Sequence, residues 1–233
     1  MIDQSSGILS HCDERSGLIA GSSQQSDGAN YWDRYYLTTS PKFIPSQFAA
    51  MTLSEMWDFD NFIDCGCGNG RDSIFFASHG KNVLSIDNSS AALEQASFEC
   101  RRRNLSRVQT QQLDFSSLTE KCLTKYNSML ERCVVYARFF LHSLDEQTER
   151  RFFDQMSSAI GKGSMICAEF RTKIDSQLPK KAAPHFRRYI DPYDLVQKID
   201  PANLRLKYMN VGFGLAKFQE EDAHVARVYL EKV

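Results

Sequence analysis

No stretch of this sequence is apolar for long enough to cross a bilayer, and no secretory leader is expected. The expected compartment is therefore the cytoplasm. Seven cysteines, at positions 12, 65, 67, 100, 122, 133 and 167, lack the spacing of a metal site. They are expected to be reduced, and no metal is expected. Charge of one sign is also missing, with 28 Lys and Arg against 29 Asp and Glu. That balance gives no global attraction to nucleic acid or to a membrane surface, so basic character must be local. Internal repeats are absent. At 233 residues the chain suits one domain with a substantial core.

What is present is concentrated in Phe62-Ile63-Asp64-Cys65-Gly66-Cys67-Gly68-Asn69-Gly70-Arg71-Asp72. An apolar run ends in an acid, three glycines alternate with small residues, and an apolar helical pattern follows. The segment reads as a strand, a tight loop and a helix start. Glycine lets the backbone turn sharply and removes side chains that would keep a ligand away. The first N–H groups of the helix can then meet a polar or anionic ligand.

A second apolar run, Val83-Leu84-Ser85-Ile86-Asp87, also ends in an acid, 21 residues after Gly66. A spacing of about 20 is the one at which an acid reaches the ribose hydroxyls of a bound nucleoside. Between the two runs, Asp72–Gly80 carries Ile74, Phe75, Phe76 and Ala77 and stops at a glycine, as a crossover helix should. The unit is β-α-β with a nucleoside pocket at its carboxyl edge.

The glycine pattern is G-x-G-x-G rather than the dinucleotide G-x-G-x-x-G. Asp64 would repel a pyrophosphate and would suit the cationic amino acid end of S-adenosylmethionine. On these residues the chain resembles a class I S-adenosylmethionine-dependent methyltransferase. The stretch Asp64 to Ser89 is similar to the branch containing tellurite-resistance and thiopurine enzymes, and to small methyltransferases associated with surface-polysaccharide biosynthesis. The resemblance implies a Rossmann-like α/β fold: a mostly parallel sheet, an antiparallel edge hairpin at the C-terminal end, and helices on both faces. It implies S-adenosyl-L-methionine as cofactor, bound by Asp64, Gly66, Cys67, Gly68, Asp72, Asp87, Asn88, Asp114, Phe115 and Ala137.

Residues 1–30 are rich in Ser, Gly, Gln and Asp and are expected to form a flexible tail, leaving 31–233 as the methyltransferase domain. Tyr31-Trp32-Asp33-Arg34-Tyr35-Tyr36 gathers aromatics before a loop. In the resembled family such a segment folds over the cofactor; core packing is the alternative. A proline-started helix is expected over 41–51, with Ser46 and Gln47 near its first turn. Further along, 90–103 is helical, 108–112 is the third strand and 134–137 the fourth. An amphipathic helix over 145–160 is followed by a fifth strand over 164–170. A helix started by Asp191-Pro192 precedes two alternating strands, 204–212 and 226–232, which form the edge hairpin.

Ligands of an open α/β sheet bind beyond the strand carboxyl ends. There, Asp64, Asp87 and Asp114 suit an ammonium, ribose hydroxyls and an adenine amine, with Phe115 on the ring face. The later strand ends contribute Arg138, His142 and Arg171, and a cationic, aromatic loop adds His185, Arg187 and Arg188. This group is expected to bind an anionic acceptor, since guanidinium forks fit phosphate or carboxylate oxygens. His142 is the candidate base if a hydroxyl is methylated, because it titrates near neutrality; an ionised oxygen needs none. Arg138 and His142 are thus the catalytic candidates.

Residues 136–142, 185–192 and 212–216 with Glu221-Asp222 resemble segments of the polysaccharide-associated enzymes. That implies a sugar or phosphorylated sugar as acceptor of an O-methylation. The Asp/Asn-Pro-Pro-aromatic tetrapeptide of amino-group methyltransferases is missing after strand four, which argues against a nucleic-acid or protein amide nitrogen. Two alternatives stand beside this reading: a detoxifying methyltransferase for a thiol or metalloid oxyanion, and a non-catalytic cofactor-binding protein. The chain is expected to act as a monomer or homodimer.

Overall fold

The structure is a computed structural model and describes residues 23–180 and 185–233. The expected tail over 1–22 lies outside the described residues. From there on, helix α1 spans Ser23–Thr38 and carries the aromatic cluster, so residues 23–30 of the expected tail are helical. Helix α2 runs over Gln47–Glu55. It begins later than the proline signal suggested, because Ser46 is the N-cap and its hydroxyl accepts from Ala49 N–H at 2.9 Å.

The remaining elements follow the alternation that the apolar runs dictate. Strand β1 (Asn61–Cys65) leads into α3 (Arg71–Ser78), β2 (Asn82–Asp87), α4 (Ser90–Arg102) and β3 (Val108–Gln112). After the short helix α5 (Asn127–Leu130) come β4 (Cys133–Arg138), α6 (Glu146–Ala159), β5 (Met165–Arg171) and α7 (Pro192–Lys198). The chain ends in a long hairpin, β6 (Leu204–Phe218) and β7 (Glu221–Lys232).

The seven strands form one sheet in the order β3-β2-β1-β4-β5-β7-β6. The first five are parallel, β7 lies antiparallel against β5, and β6 is the outer strand. This is the expected Rossmann-like sheet with its antiparallel edge. The order reverses between β1 and β4, and a crevice opens at their carboxyl ends, as in other doubly wound folds.

Alternation along the central strands divides the core between the two sheet faces. Ile63, Leu84, Val135 and Ile166 pack with Phe152 and Met156 of α6. Phe62, Val83, Val134 and Tyr136 pack with Phe48 of α2 and Phe76 of α3. Both layers are nearly dry, with Phe48, Phe62, Phe76 and Phe152 each at 0 % exposure. No helix among the described residues is long and apolar enough to cross a membrane.

Candidate functional site

A cavity of about 1170 Å³ lies beyond the carboxyl ends of the parallel strands. Its volume exceeds that of an ordinary drug-sized pocket, and leaves room for two molecules side by side. One half is walled by the ends of β1, β2 and β3, the other by β4, β5 and the distal β6–β7 hairpin.

Three glycines after β1 adopt positive φ, at +69° for Gly66, +54° for Gly68 and +75° for Gly70. L-residues with side chains rarely hold that conformation. The space above these glycines is taken by the protein's own side chains. A Cβ at Gly66 would lie 2.5 Å from the Phe140 ring, and one at Gly70 2.7 Å from Ala96. One at Gly68 would collide with the Tyr36 hydroxyl. The bare backbone therefore admits Phe140 and Tyr36 as well as making room for a ligand.

Asp64, Asp87 and Asp114 all line this half of the cavity. Asp87 accepts from Gly68 N–H at 2.8 Å with one oxygen and from Ser89 N–H at 2.9 Å with the other. Each carboxylate oxygen has a second lone pair, so the group stays able to accept two hydroxyls. Burial raises its pKa. Asp64 accepts from Ser73 Oγ at 2.5 Å, and Ser73 in turn accepts from Ser85 at 2.8 Å. Burial pushes the Asp64 carboxyl up to about 7, against the lowering effect of the Ser73 bond. A buried acid that is costly to ionise suits a cationic ligand, whose charge would restore the ionised form. Asp114 caps the turn after β3 with one oxygen on Ser116 N–H, 2.9 Å away. The donor set thus fits S-adenosylmethionine: acids for the ammonium, the ribose hydroxyls and the adenine amine.

Gly66, Cys67, Gly68, Asp72, Asn88 and Phe115 also reach the wall. Cys65 and Cys67 are buried thiols whose pKa values burial raises well above the ordinary range, so they serve as small side chains. Phe115 turns into the core, 4.5 Å from the Phe140 ring and 6.0 Å from Phe152, with 4 % of its surface exposed. Little of that ring is left to stack on an adenine. Ala137 does not reach the cavity. Its neighbours Tyr136 and Arg138 point there, and strand alternation turns Ala137 to the opposite face, at 0 % exposure.

On the other half, Arg138 reaches the wall, as do Arg171 and His185. Arg138 donates through Nε to Glu169 at 3.0 Å, and its guanidinium stands 4.3 Å from the Phe139 ring centre. Phe139 holds φ +52°, a costly conformation for an aromatic residue. Arg171 is tied to Asp175 at 2.7 Å and to Glu221 at 2.5 Å. His185 packs against Tyr31 at 4.8 Å and Trp32 at 5.0 Å, closing the cavity between α1 and the segment before α7.

Three sequence expectations on this half are corrected. His142 is not on the cavity wall: its ring is buried, with Nδ1 accepting from Arg171 N–H at 3.4 Å. Burial, then the neighbouring Arg171 charge, pushes its pKa well below the ordinary histidine value, so it is neutral near neutrality; its place off the wall and its engaged Nδ1 keep it from an acceptor in the cavity. Arg188 turns away from the cavity to pair with Glu149 of α6 and donate to Leu144 C=O at 3.1 Å. Arg187 likewise does not line it. The basic group is therefore largely neutralised by carboxylates, and Arg138 is its best-placed member.

Four residues at or beside the wall were not among the candidates, although the aromatic segment that carries Tyr36 was expected over the cofactor. Tyr36 stands over the glycine loop, and burial raises its hydroxyl pKa. Asp33 docks α1 on α4 by accepting from Ser89 Oγ at 2.6 Å and Ala91 N–H at 3.2 Å. Gln95 donates to Tyr36 C=O at 2.5 Å. Glu169 was detectable in principle, since alternation on β5 puts it on the same face as Arg171.

The sequence profile of the methyltransferase domain family matches residues 58–222. No curated protein sequence matches the chain. Among solved structures, an S-adenosylmethionine-dependent methyltransferase from Anabaena variabilis superposes with a TM-score of 0.67 at 14 % identity, covering 90 % of this chain and 95 % of its own. The [4+2]-cyclase SpnF gives 0.67 at 15 % identity, over 93 % and 99 % of the two chains. The glycopeptide N-methyltransferase MtfA, complexed with S-adenosyl-L-homocysteine, gives 0.62 at 11 % identity, over 86 % and 97 %. At such identities the likeness speaks for the fold, while the profile covers most of the chain. The chain belongs to the methyltransferase domain family, with the class I fold and S-adenosylmethionine as its cofactor.

Proposed function

We propose that this protein transfers the methyl group of S-adenosylmethionine to an oxygen of a small acceptor that carries an oxyanion, of which a sugar phosphate is one example. The observation that carries this reading is the state of Arg138. Its Nε is fixed on Glu169, while its two Nη groups meet no acceptor among the described residues. The only sealed, unpartnered side-chain atom among those residues is Gln95 Oε1, so the Nη edge is open to the cavity that Arg138 lines. A held guanidinium with one free edge is a bidentate site for phosphate or carboxylate oxygens.

When bound, the cofactor supplies a methyl group already activated by the positive sulfur, so positioning and exclusion of water are what remain for the protein. Asp64 faces the ammonium, Asp87 the ribose hydroxyls and Asp114 the adenine amine. Tyr36 and Trp32 of α1 cover the site, and Arg138 orients the acceptor from the β4 side.

The test is transfer of tritiated methyl from S-adenosylmethionine to a panel of phosphosugars, nucleotides and small carboxylic acids. Arg138→Met should raise the acceptor KM by about tenfold, the scale of a lost charge-assisted hydrogen bond, with donor affinity kept. Transfer to neutral acceptors alone, or loss of donor binding in Arg138→Met, would refute the reading.

A further inference from the structure

Strand register places three charged residues in a line across the sheet. Arg138 of β4 is the parallel partner of Glu169 on β5, and Glu169 is the antiparallel partner of Arg227 on β7. Glu169 is fully buried, at 0 % exposure, and divides its oxygens between the two guanidiniums. Oε1 accepts from Arg138 Nε at 3.0 Å, and Oε2 from Arg227 Nε at 2.8 Å. Arg227 is itself buried and held on its far side by Leu215 C=O and by Met51 Sδ at 3.1 Å.

Two consequences follow. A carboxylate gripped by one guanidinium from behind has its plane fixed, and so fixes the guanidinium in front of it. The row also holds two positive charges against one negative, so its open end at Arg138 faces the cavity with a charge that its own row does not cancel. Asp72 lies near enough to act on Arg138 and Glu169, but it stands outside the row and its charge is shared with Arg71, whose Nε lies 3.8 Å from it.

We infer that Arg227 is a positioning residue for oxyanion binding: without lining the cavity, it fixes Glu169 and through it sets the aim and charge of Arg138. This rests on the proposed role of Arg138 and extends it to a residue on the antiparallel edge of the sheet. It also gives the C-terminal hairpin a part in acceptor recognition, because Arg227 ties Leu215 of the hairpin to the same row.

The test uses the full chain saturated with S-adenosyl-L-homocysteine and inorganic phosphate as the probe, followed by ³¹P line broadening. Arg138→Met and Arg227→Met should each weaken phosphate binding about tenfold, equivalent to about 1.4 kcal/mol. The double variant should be little weaker than either single one, because both act on one fork. Affinity for S-adenosyl-L-homocysteine should stay unchanged, which a general loss of structure would not allow. If Arg227→Met fails to fold, Arg227→Lys, which keeps the charge but not the fork, should still weaken phosphate.

Phosphate affinity unchanged in the Arg227 variant, or effects that multiply in the double variant, would overturn the inference and leave the role of Arg138 standing. Failure of the wild type to bind phosphate, or of Arg138→Met to weaken it, would overturn that role and the inference with it.

Discussion

The Tyr36 hydroxyl occupies the space directly above Gly68, where any Cβ would collide with it. Tyr36 comes from α1 and Gly68 from the loop after β1, so the contact joins the N-terminal helix to the cofactor loop. Gly68→Ala combines that collision with positive φ, which costs about 1–2 kcal/mol for an L-residue. It should lower stability in a urea titration by more than this backbone term. Adding Tyr36→Phe removes the colliding oxygen, and the next ring atom lies 3.0 Å away, so the double variant should recover part of the loss. Equal stability of the single and double variants would mean that α1 does not rest on the loop.

The buried Asp64 carboxyl, pushed up to about 7, ties donor binding to pH. Below that value the group is protonated, and a cationic ligand must expel the proton to gain its partner. Donor affinity measured by calorimetry should therefore rise between pH 5.5 and 7, by up to tenfold per unit. Asp64→Asn should bind more weakly and flatten this dependence. A wild-type profile that is flat over the same interval would separate Asp64 from the ammonium.

His142 ties stability to pH. Its folded pKa lies well below the ordinary histidine value, so the unfolded chain binds the proton first as pH falls. The stability it contributes is complete above about pH 6.5 and declines below it, by up to about 1.4 kcal/mol per unit. His142→Gln should unfold with a shallower loss between pH 6.5 and 5 than the wild type. The rate of methyl transfer near neutrality should keep its pH profile in this variant. Loss of an ionisation from that profile would restore His142 as the base.

Asp64 and Asp87 were legible as wall residues because each closes an apolar strand run, whereas Asp114 follows the polar strand Val108–Gln112 and was placed only by its order in the fold. Ala137 was misjudged although alternation between Tyr136 and Arg138 already turned it inward. The fate of His142 was not legible: alternation ends at Arg138, and the positive φ at Phe139 reverses the chain before the histidine is reached. Tyr36, Glu169 and Arg227 gain their places from docking and strand register, which join positions far apart in sequence. Nor could composition show that Arg171 and Arg188 are matched to Asp175, Glu221 and Glu149.

Tyr136 shows how the same sheet end secures the N-terminal wall. Its side chain is sealed at 0 % exposure, and its hydroxyl donates to Asp72 at 2.9 Å while lying 3.0 Å from Ser46 Oγ. Ser46 caps α2 and also donates its N–H and hydroxyl to Asp72, so one carboxylate at the start of α3 gathers β4 and α2 together. Tyr136→Phe keeps the stacked ring, 5.1 Å from Phe48, and removes only the hydroxyl. The cost expected for a buried acceptor losing one partner is about 1–3 kcal/mol, read from urea unfolding. Donor affinity should change little, because Asp72 keeps both Ser46 bonds and Asp64 and Asp87 are untouched. Unaltered stability would show that α2 is held by apolar packing alone, whereas a collapse of donor binding would place the Tyr136 hydroxyl in direct service of the cofactor.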